Sequence, residues 1–393
     1  MLVLCATVVR IALLVAPVSV QLQQRRSHRC GLPIADAAIN TADETFEEVE
    51  EDEQAATFFA DLHPVVKAAE LSVRVSRAER KSGSLTDATL QQAGEVLRQY
   101  GVVRLQGVWD ATPQLVREAA GAVHENYEAC MERVSARTGL TEADSFAYCQ
   151  IVHRSAGRYD MLLGDGVAIK PLPSTVRDAV LGCDAAEGHW RRQLLSSILG
   201  DDYNVEFTAA LLARSGCATQ EPHADGMHPH DNRQACDVAD TLPLHALQLF
   251  LPLCKVTTRR GPTEFWPSSH HAAYAPFAAW LPSIALEADA GDAIIFDFRV
   301  VHRGMANTSG RWRPILYQTC TAAWFTDDFN FPAQSLLQEE QQEGVTATAG
   351  EAPACEQDLA SSSRSAPPAA PRYQHNGFTD GFTDGAAREP RNR

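Results

Sequence analysis

The chain has 393 residues, of which 45% are hydrophobic and 21% charged, enough apolar material for a sizeable core. Its formal net charge of -16 argues against a nucleic-acid binder, because phosphate backbones are held by clustered Lys and Arg, and favours a small-molecule or peptide substrate. Ten cysteines stand singly with no Cys-x-x-Cys pair, which excludes a zinc ribbon or a thioredoxin-type motif and suits reduced core residues.

Residues 1–20 are mostly apolar with Arg10 the only charge, and Arg25, Arg26 and Arg29 precede the first acid, Asp36. Residues 1–30 are therefore expected to be a targeting segment for the secretory pathway or an organelle, with a cytoplasmic location as the alternative. The apolar stretch is too short for a stable membrane span in the mature chain, and the ending Arg391-Asn392-Arg393 lacks a peroxisomal signal. Residues 31–82 read as an acidic linker and N-terminal extension, built around the run from Asp43 to Glu53.

Leu90, Ala93, Val96 and Leu97 recur at helical spacing and predict a helix over 86–98, followed by a strand through Tyr100-Gly101-Val102-Val103-Arg104-Leu105. A longer helix runs from Pro113 to about Ala136, with Leu115, Val116, Ala119, Val123 and Tyr127 on its core side. The segment from His153 to Asp160 is polar, aromatic and glycine-containing, and reads as a substrate-facing loop in which Arg158 and Tyr159 are candidates, or in which Arg158 or Asp160 forms a structural salt bridge. Residues 187–199 suggest another helix. Strands then follow at 204–212, 244–253, 293–298 and 314–321, separated by Gly and Pro turns. The pattern is mainly β with flanking helices, as in a barrel or jelly roll. Residues 333–393, rich in Ala, Pro, Ser and Gln, read as a low-complexity, disordered tail.

His223 and Asp225 flank Ala224, so in extended backbone both face one side. His302 follows 79 residues after His223, just past the apolar strand 293–298, where the open end of a barrel would place it. Two imidazoles and one carboxylate can hold one face of an octahedral Fe(II), leaving positions for a chelating cosubstrate and dioxygen. Arg313 opens the last strand in apolar company, where a guanidinium needs an anionic partner: a bound dicarboxylate, or Asp292 or Asp297. Arg311 is the rival anchor. Gln248, alone among apolar strand residues, either bonds the cosubstrate or satisfies a buried neighbour. A zinc site of His223 with His228 and His230 would serve a hydrolase instead. His270 and His271, after Pro267-Ser268-Ser269, read as turn or surface residues.

Four features in this order resemble the phytanoyl-CoA dioxygenase family of Fe(II)/2-oxoglutarate oxygenases over roughly residues 85–330. They are Tyr100-Gly101-Val102-Val103 after a helix; His223-Ala224-Asp225; the run from Gly261 to His270; and His302-Arg303-Gly304 through Asn307, Ser309 and Arg313. Ser268 stands where the third motif normally has glycine. The resemblance implies a double-stranded β-helix (jelly-roll, cupin-like) domain over 83–332, iron on His223, Asp225 and His302, and the distal carboxylate of 2-oxoglutarate on Arg313. It further implies dioxygen as second cosubstrate, ascorbate as an accessory reductant, and hydroxylation rather than halogenation, since Asp225 keeps the carboxylate that halogenating relatives replace with a small residue. Two alternatives stay open: a catalytically silent binding module of the same fold, and the zinc-dependent hydrolase.

Overall fold

The four long apolar strands expected from the pattern lie side by side at the centre of one sheet. The computed structural model describes residues 65–182, 188–226, 243–271, 281–327 and 330–337. The expected targeting segment, the acidic run, most of the tail, and His228 and His230 lie outside the described residues.

In chain order the elements are β1 (Ser72–Arg74), α1 (Arg77–Ser82), α2 (Asp87–Tyr100), β2 (Val102–Gln106), α3 (Pro113–Thr138), β3 (Ala147–Tyr148), β4 (Ile151–Ser155), β5 (Arg158–Leu162), α4 (Ser174–Leu181), α5 (Trp190–Leu199), β6 (Asn204–Ala213), β7 (Ala246–Pro252), β8 (Thr263–Phe265), β9 (Ile284–Leu286), β10 (Ala293–Asp297), β11 (His302–Gly304) and β12 (Arg313–Thr321). Among the described residues, nine strands form a sheet in the order β1-β2-β10-β7-β12-β6-β5-β4-β3, antiparallel except for β1 on β2. Strands β11, β8 and β9 form a second, smaller sheet. β1 lies inside the segment expected as linker and extension, and Leu336, inside the expected tail, is buried with its N–H on the Gln150 side chain.

The helices begin and end on local chemistry. Thr86 and Thr112 cap α2 and α3 by accepting the N–H of Thr89 and Leu115, and Pro113 sits where its missing N–H costs nothing.

The large sheet is apolar on both faces, which is why β7 reads Leu247-Gln248-Leu249-Phe250-Leu251 without polar alternation. On one face Leu249, Leu251, Ile295 and Leu316 pack with Leu97 of α2, Val123 of α3 and Trp190 of α5. On the other face Phe250, Ile294, Phe296, Ile315 and Tyr317 pack with Phe265 and Leu286 of the small sheet. This second layer leads to the metal-ligating candidates.

Two expectations change. The segment 153–160 is part of a hairpin, β4 and β5, rather than a loop. Arg158 and Asp160 are buried in β5 because each finds partners within the fold, most of them distant in sequence. His270 is buried instead of lying at the surface. Its Nε2–H donates to the Arg98 carbonyl at 3.2 Å, leaving Nδ1 buried without a hydrogen-bond partner.

Burial therefore pushes the His270 pKa down to about 4 from 6.5, although Asp297 pulls the other way. The unfolded chain takes up this proton at a higher pH than the folded one, so the contribution is complete above about pH 6.5 and is lost as pH falls toward 4, on the order of 3 kcal/mol. Urea unfolding followed between pH 7 and pH 4 should show this decline, and a shallower one in His270→Gln. Equal slopes in the two proteins would remove His270 as its source.

Candidate metal centre

His302 lies on β11, opposite Phe265 in the small sheet, and its ring packs against Phe296 with centroids 4.8 Å apart. His223 joins the same strand from the far side through one antiparallel bridge: its N–H donates to the His302 carbonyl at 2.9 Å, and the His302 N–H returns the bond at 2.8 Å. The extended backbone expected around His223 is this single bridge. Asp225 follows in a bend, its N–H donating to the Phe298 carbonyl at 3.1 Å. The result is the expected juxtaposition: one ligand atom from each of His223, Asp225 and His302, all within 4.8 Å of one another.

The donor atoms face each other, and the backbone sets the tautomer a cation needs. Nδ1 of His302 lies 3.0 Å from the Val300 carbonyl and Nδ1 of His223 lies 2.9 Å from the Glu221 carbonyl. A carbonyl only accepts, so both Nδ1 atoms carry the hydrogen and both Nε2 atoms present lone pairs. Those lone pairs lie 3.6 Å (His302) and 4.0 Å (His223) from Oδ1 of Asp225. Burial lowers the His302 pKa against the pull of Asp225, which keeps the ring neutral. Lone pairs converging on a carboxylate oxygen repel until a cation sits among them, so this donor set fits a divalent metal. His302 is buried, whereas the His223 side chain is 41% exposed, so the centre opens on the His223 side.

Gly226 keeps that geometry. Its N–H also meets the Phe298 carbonyl, at 3.2 Å, and a Cβ at this position would fall on the Phe298 ring.

Arg313 is buried at the start of β12, on the face that carries Ile315 and Tyr317. It donates to the Gly261 carbonyl, and its Nε has no partner. Neither expected carboxylate pairs with it. Asp297 holds Arg299 through two hydrogen bonds of 2.9 and 2.6 Å, and Asp292 accepts the N–H groups of Gly107 and Asp289. Burial, with Arg158 nearby, pushes the Arg313 pKa down to about 10, and the guanidinium stays charged. A buried cation with a free donor suits an anionic ligand. Arg311, the rival, is exposed at the turn.

Gln248 accepts the Thr319 hydroxyl at 2.9 Å and stands opposite Phe296, on the face of the sheet toward His302. Arg158 is also on this face, beyond Ala213 from Arg313. Tyr159 points to the opposite face, packed on Tyr127 at 4.8 Å and stacked with His153 at 5.2 Å. The structure therefore brings Arg158 toward the site and leaves Tyr159 in the helix-facing core.

The structural salt bridge expected as the alternative at Arg158 or Asp160 forms at Asp160, with Arg154; only its tyrosine partner escaped the sequence reading. Asp160 is buried on β5, accepting Tyr317 Oη at 2.8 Å on one oxygen and Arg154 at 2.8 and 3.1 Å on the other. Burial raises its pKa, and Arg154 opposes that rise. An acid within Arg158-Tyr159-Asp160-Met161-Leu162 was the available signal, but its partner Tyr317 lies 157 residues away.

Residues 175–315 match the family model of phytanoyl-CoA dioxygenase (PhyH). The match contains His223, Asp225, His302 and Arg313. Similar solved structures include the non-heme alpha ketoglutarate dependent epimerase SnoN from nogalamycin biosynthesis, 22% identical over 61% of this chain and 84% of that one, with a TM-score of 0.36. The non-heme alpha ketoglutarate dependent carbocyclase SnoK from nogalamycin biosynthesis is 18% identical over 61% of this chain and 85% of that one, with a TM-score of 0.39. AviO1 from Streptomyces viridochromogenes Tue57 is 16% identical over 66% of this chain and 100% of that one, also at 0.39.

Anaerobic calorimetry with Mn(II) or Fe(II) is expected to show one site per chain, weakened at least about 100-fold in Asp225→Ala and in His302→Ala. Gly226→Ala, which displaces the Phe298 ring from beside Asp225, should weaken binding by roughly tenfold. Unchanged affinity in Asp225→Ala would place the metal elsewhere.

Proposed function

We propose that the protein is an Fe(II)- and 2-oxoglutarate-dependent dioxygenase that hydroxylates a small organic substrate, an acyl compound, an amino acid or a secondary metabolite. The supporting observation is the pairing of two sites on one buried layer: a histidine–aspartate–histidine donor set, and a guanidinium without an anion. A chelating dicarboxylate is the ligand class that would satisfy both at once. The family match over 175–315 supports the same reading.

In this reading the two sheets are the halves of a jelly-roll core, with the small sheet carrying His302 and the large one Arg313. His223, Asp225 and His302 hold the iron, and Arg313 holds the distal carboxylate, setting which way round the cosubstrate lies. Gln248, its oxygen already engaged by Thr319, directs its amide N–H groups toward the cosubstrate. Phe250, Phe265, Phe296 and Ile315 pack together in this layer, Phe265 and Phe296 against the His302 ring, and their apolar surface would exclude water and strengthen the charge pairing. Bound iron, with 2-oxoglutarate and dioxygen, supplies oxidative decarboxylation to succinate and carbon dioxide and oxidation of a substrate C–H bond. Ascorbate serves as an accessory reductant in the assay. The half-exposed His223 marks the side from which substrate reaches the metal. No described helix is long and apolar enough to cross a membrane.

The test is succinate formation by the purified protein under air with Fe(II), ascorbate and 2-oxoglutarate, beside Asp225→Ala. Slow succinate production that disappears in the variant is expected even before the substrate is known. Absence of both succinate and metal-dependent 2-oxoglutarate binding would remove the oxygenase reading and bring back the silent module or the hydrolase.

A further inference from the structure

Arg158 and Arg313 are cross-strand neighbours of the same residue. Ala213 on β6 pairs with Arg158 of β5 on one side and with Arg313 of β12 on the other. Cross-strand partners share a face of the sheet, so the two long cationic side chains rise on either side of one methyl group. Both are buried, at 4% and 3% exposure.

Neither is neutralised within the described fold. Arg158 donates to three backbone carbonyls, those of Ala218, Gly304 and Met305, at distances from 2.5 to 3.3 Å. Arg313 donates to the Gly261 carbonyl and keeps its Nε free. Carbonyls satisfy N–H groups without cancelling charge, and the two guanidiniums lie near enough for Arg158 to depress the Arg313 pKa. Two buried like charges with a small residue between them are unfavourable until an anion joins them.

The route of Arg158 also points toward the metal. Gly304 lies two residues after His302 on β11 and so shares its face. A Cβ at residue 304 would fall 2.6 Å from Arg158 Nη1 and 2.5 Å from the Gln220 side-chain oxygen. The glycine leaves the space through which Arg158 reaches the side of the strand that carries His302.

We propose that Arg158 is the second cation of the site for the distal carboxylate of 2-oxoglutarate, which lies over Ala213 between Arg158 and Arg313. This inference rests on the oxygenase reading above. The chain then grips the cosubstrate's far end with two guanidiniums from different strands, and Arg158 is a cosubstrate residue rather than a residue for the primary substrate.

The experiment is anaerobic calorimetry on the full chain loaded with Mn(II), titrated with 2-oxoglutarate or with 2-oxobutyrate, which keeps the chelating 2-oxo acid and lacks the distal carboxylate. Arg158→Gln should raise the 2-oxoglutarate Kd by roughly tenfold or more and leave 2-oxobutyrate unchanged, as removal of one charge-assisted contact requires. Arg158→Lys should restore part of the loss. Ala213→Val, which keeps both arginines but fills the space between them, should show the same selectivity and decides the matter if Arg158→Gln does not fold. Native 2-oxoglutarate affinity in Arg158→Gln or in Ala213→Val overturns the proposal, as does equal weakening of both acids. If Arg313→Gln loses 2-oxoglutarate and Arg158→Gln does not, only Arg158 is misassigned. If the native protein prefers 2-oxoglutarate no more than 2-oxobutyrate, the cosubstrate reading itself fails.

Discussion

Two backbone hydrogen bonds, from His223 to His302 and back, hold the centre together. They bring two imidazoles that are 79 residues apart in sequence onto neighbouring backbone, with ring centroids 4.6 Å apart. Each Nδ1 then meets a carbonyl of its own segment, two residues upstream, so the backbone fixes the tautomer as well as the position. Asp225 is carried in by the turn after His223 and tied by Phe298. The donor set is thus prearranged by main chain, whose hydrogen bonds any residue except proline can supply, and only the donor side chains themselves demand particular amino acids.

The charge arrangement around this centre follows from burial. Inside an apolar layer an ion is retained only if something answers it. Asp297 has Arg299, and Asp160 has Arg154 and Tyr317. Arg158 and Arg313 have carbonyls alone among the described residues. That asymmetry, Asp297 and Asp160 each held by an arginine beside two arginines that meet only carbonyls, is what the proposed cosubstrate site rests on.

Much of the frame was legible in the residues. The long helices and the four central strands appear within two residues or so of the predicted positions, because α2 and α3 carry apolar positions at helical spacing and the central strands are short apolar runs between Gly and Pro turns. The juxtaposition of His223, Asp225 and His302 was legible from motif order. The hairpin of β4 and β5 was not: Arg154 answers Asp160 from within the segment, but Arg158 bonds carbonyls 60 or more residues away and Tyr317 lies 157 residues from Asp160, and local composition carries no trace of those partners. His270 is the turn residue it was expected to be, but the turn delivers the ring beneath the end of α2 instead of to the surface. Ser268 takes the left-handed conformation, φ 71°, at the position where the family motif has glycine, with its N–H on the Tyr100 carbonyl and its hydroxyl on that of Gln99.

The donor residue His302 belongs to the small sheet and the guanidinium of Arg313 rises from the large one, with Phe250, Phe265 and Phe296 packed where the sheets meet. In the proposed reading a ligand that touches both would therefore span the gap between the sheets. Such a ligand acts as a gauge of fixed length, and the aromatic layer acts as the spacer that sets the gap. Trimming a spacer ring would leave each half-site chemically intact yet mismatch the gauge, so changes remote from every polar contact would select among diacids by chain length.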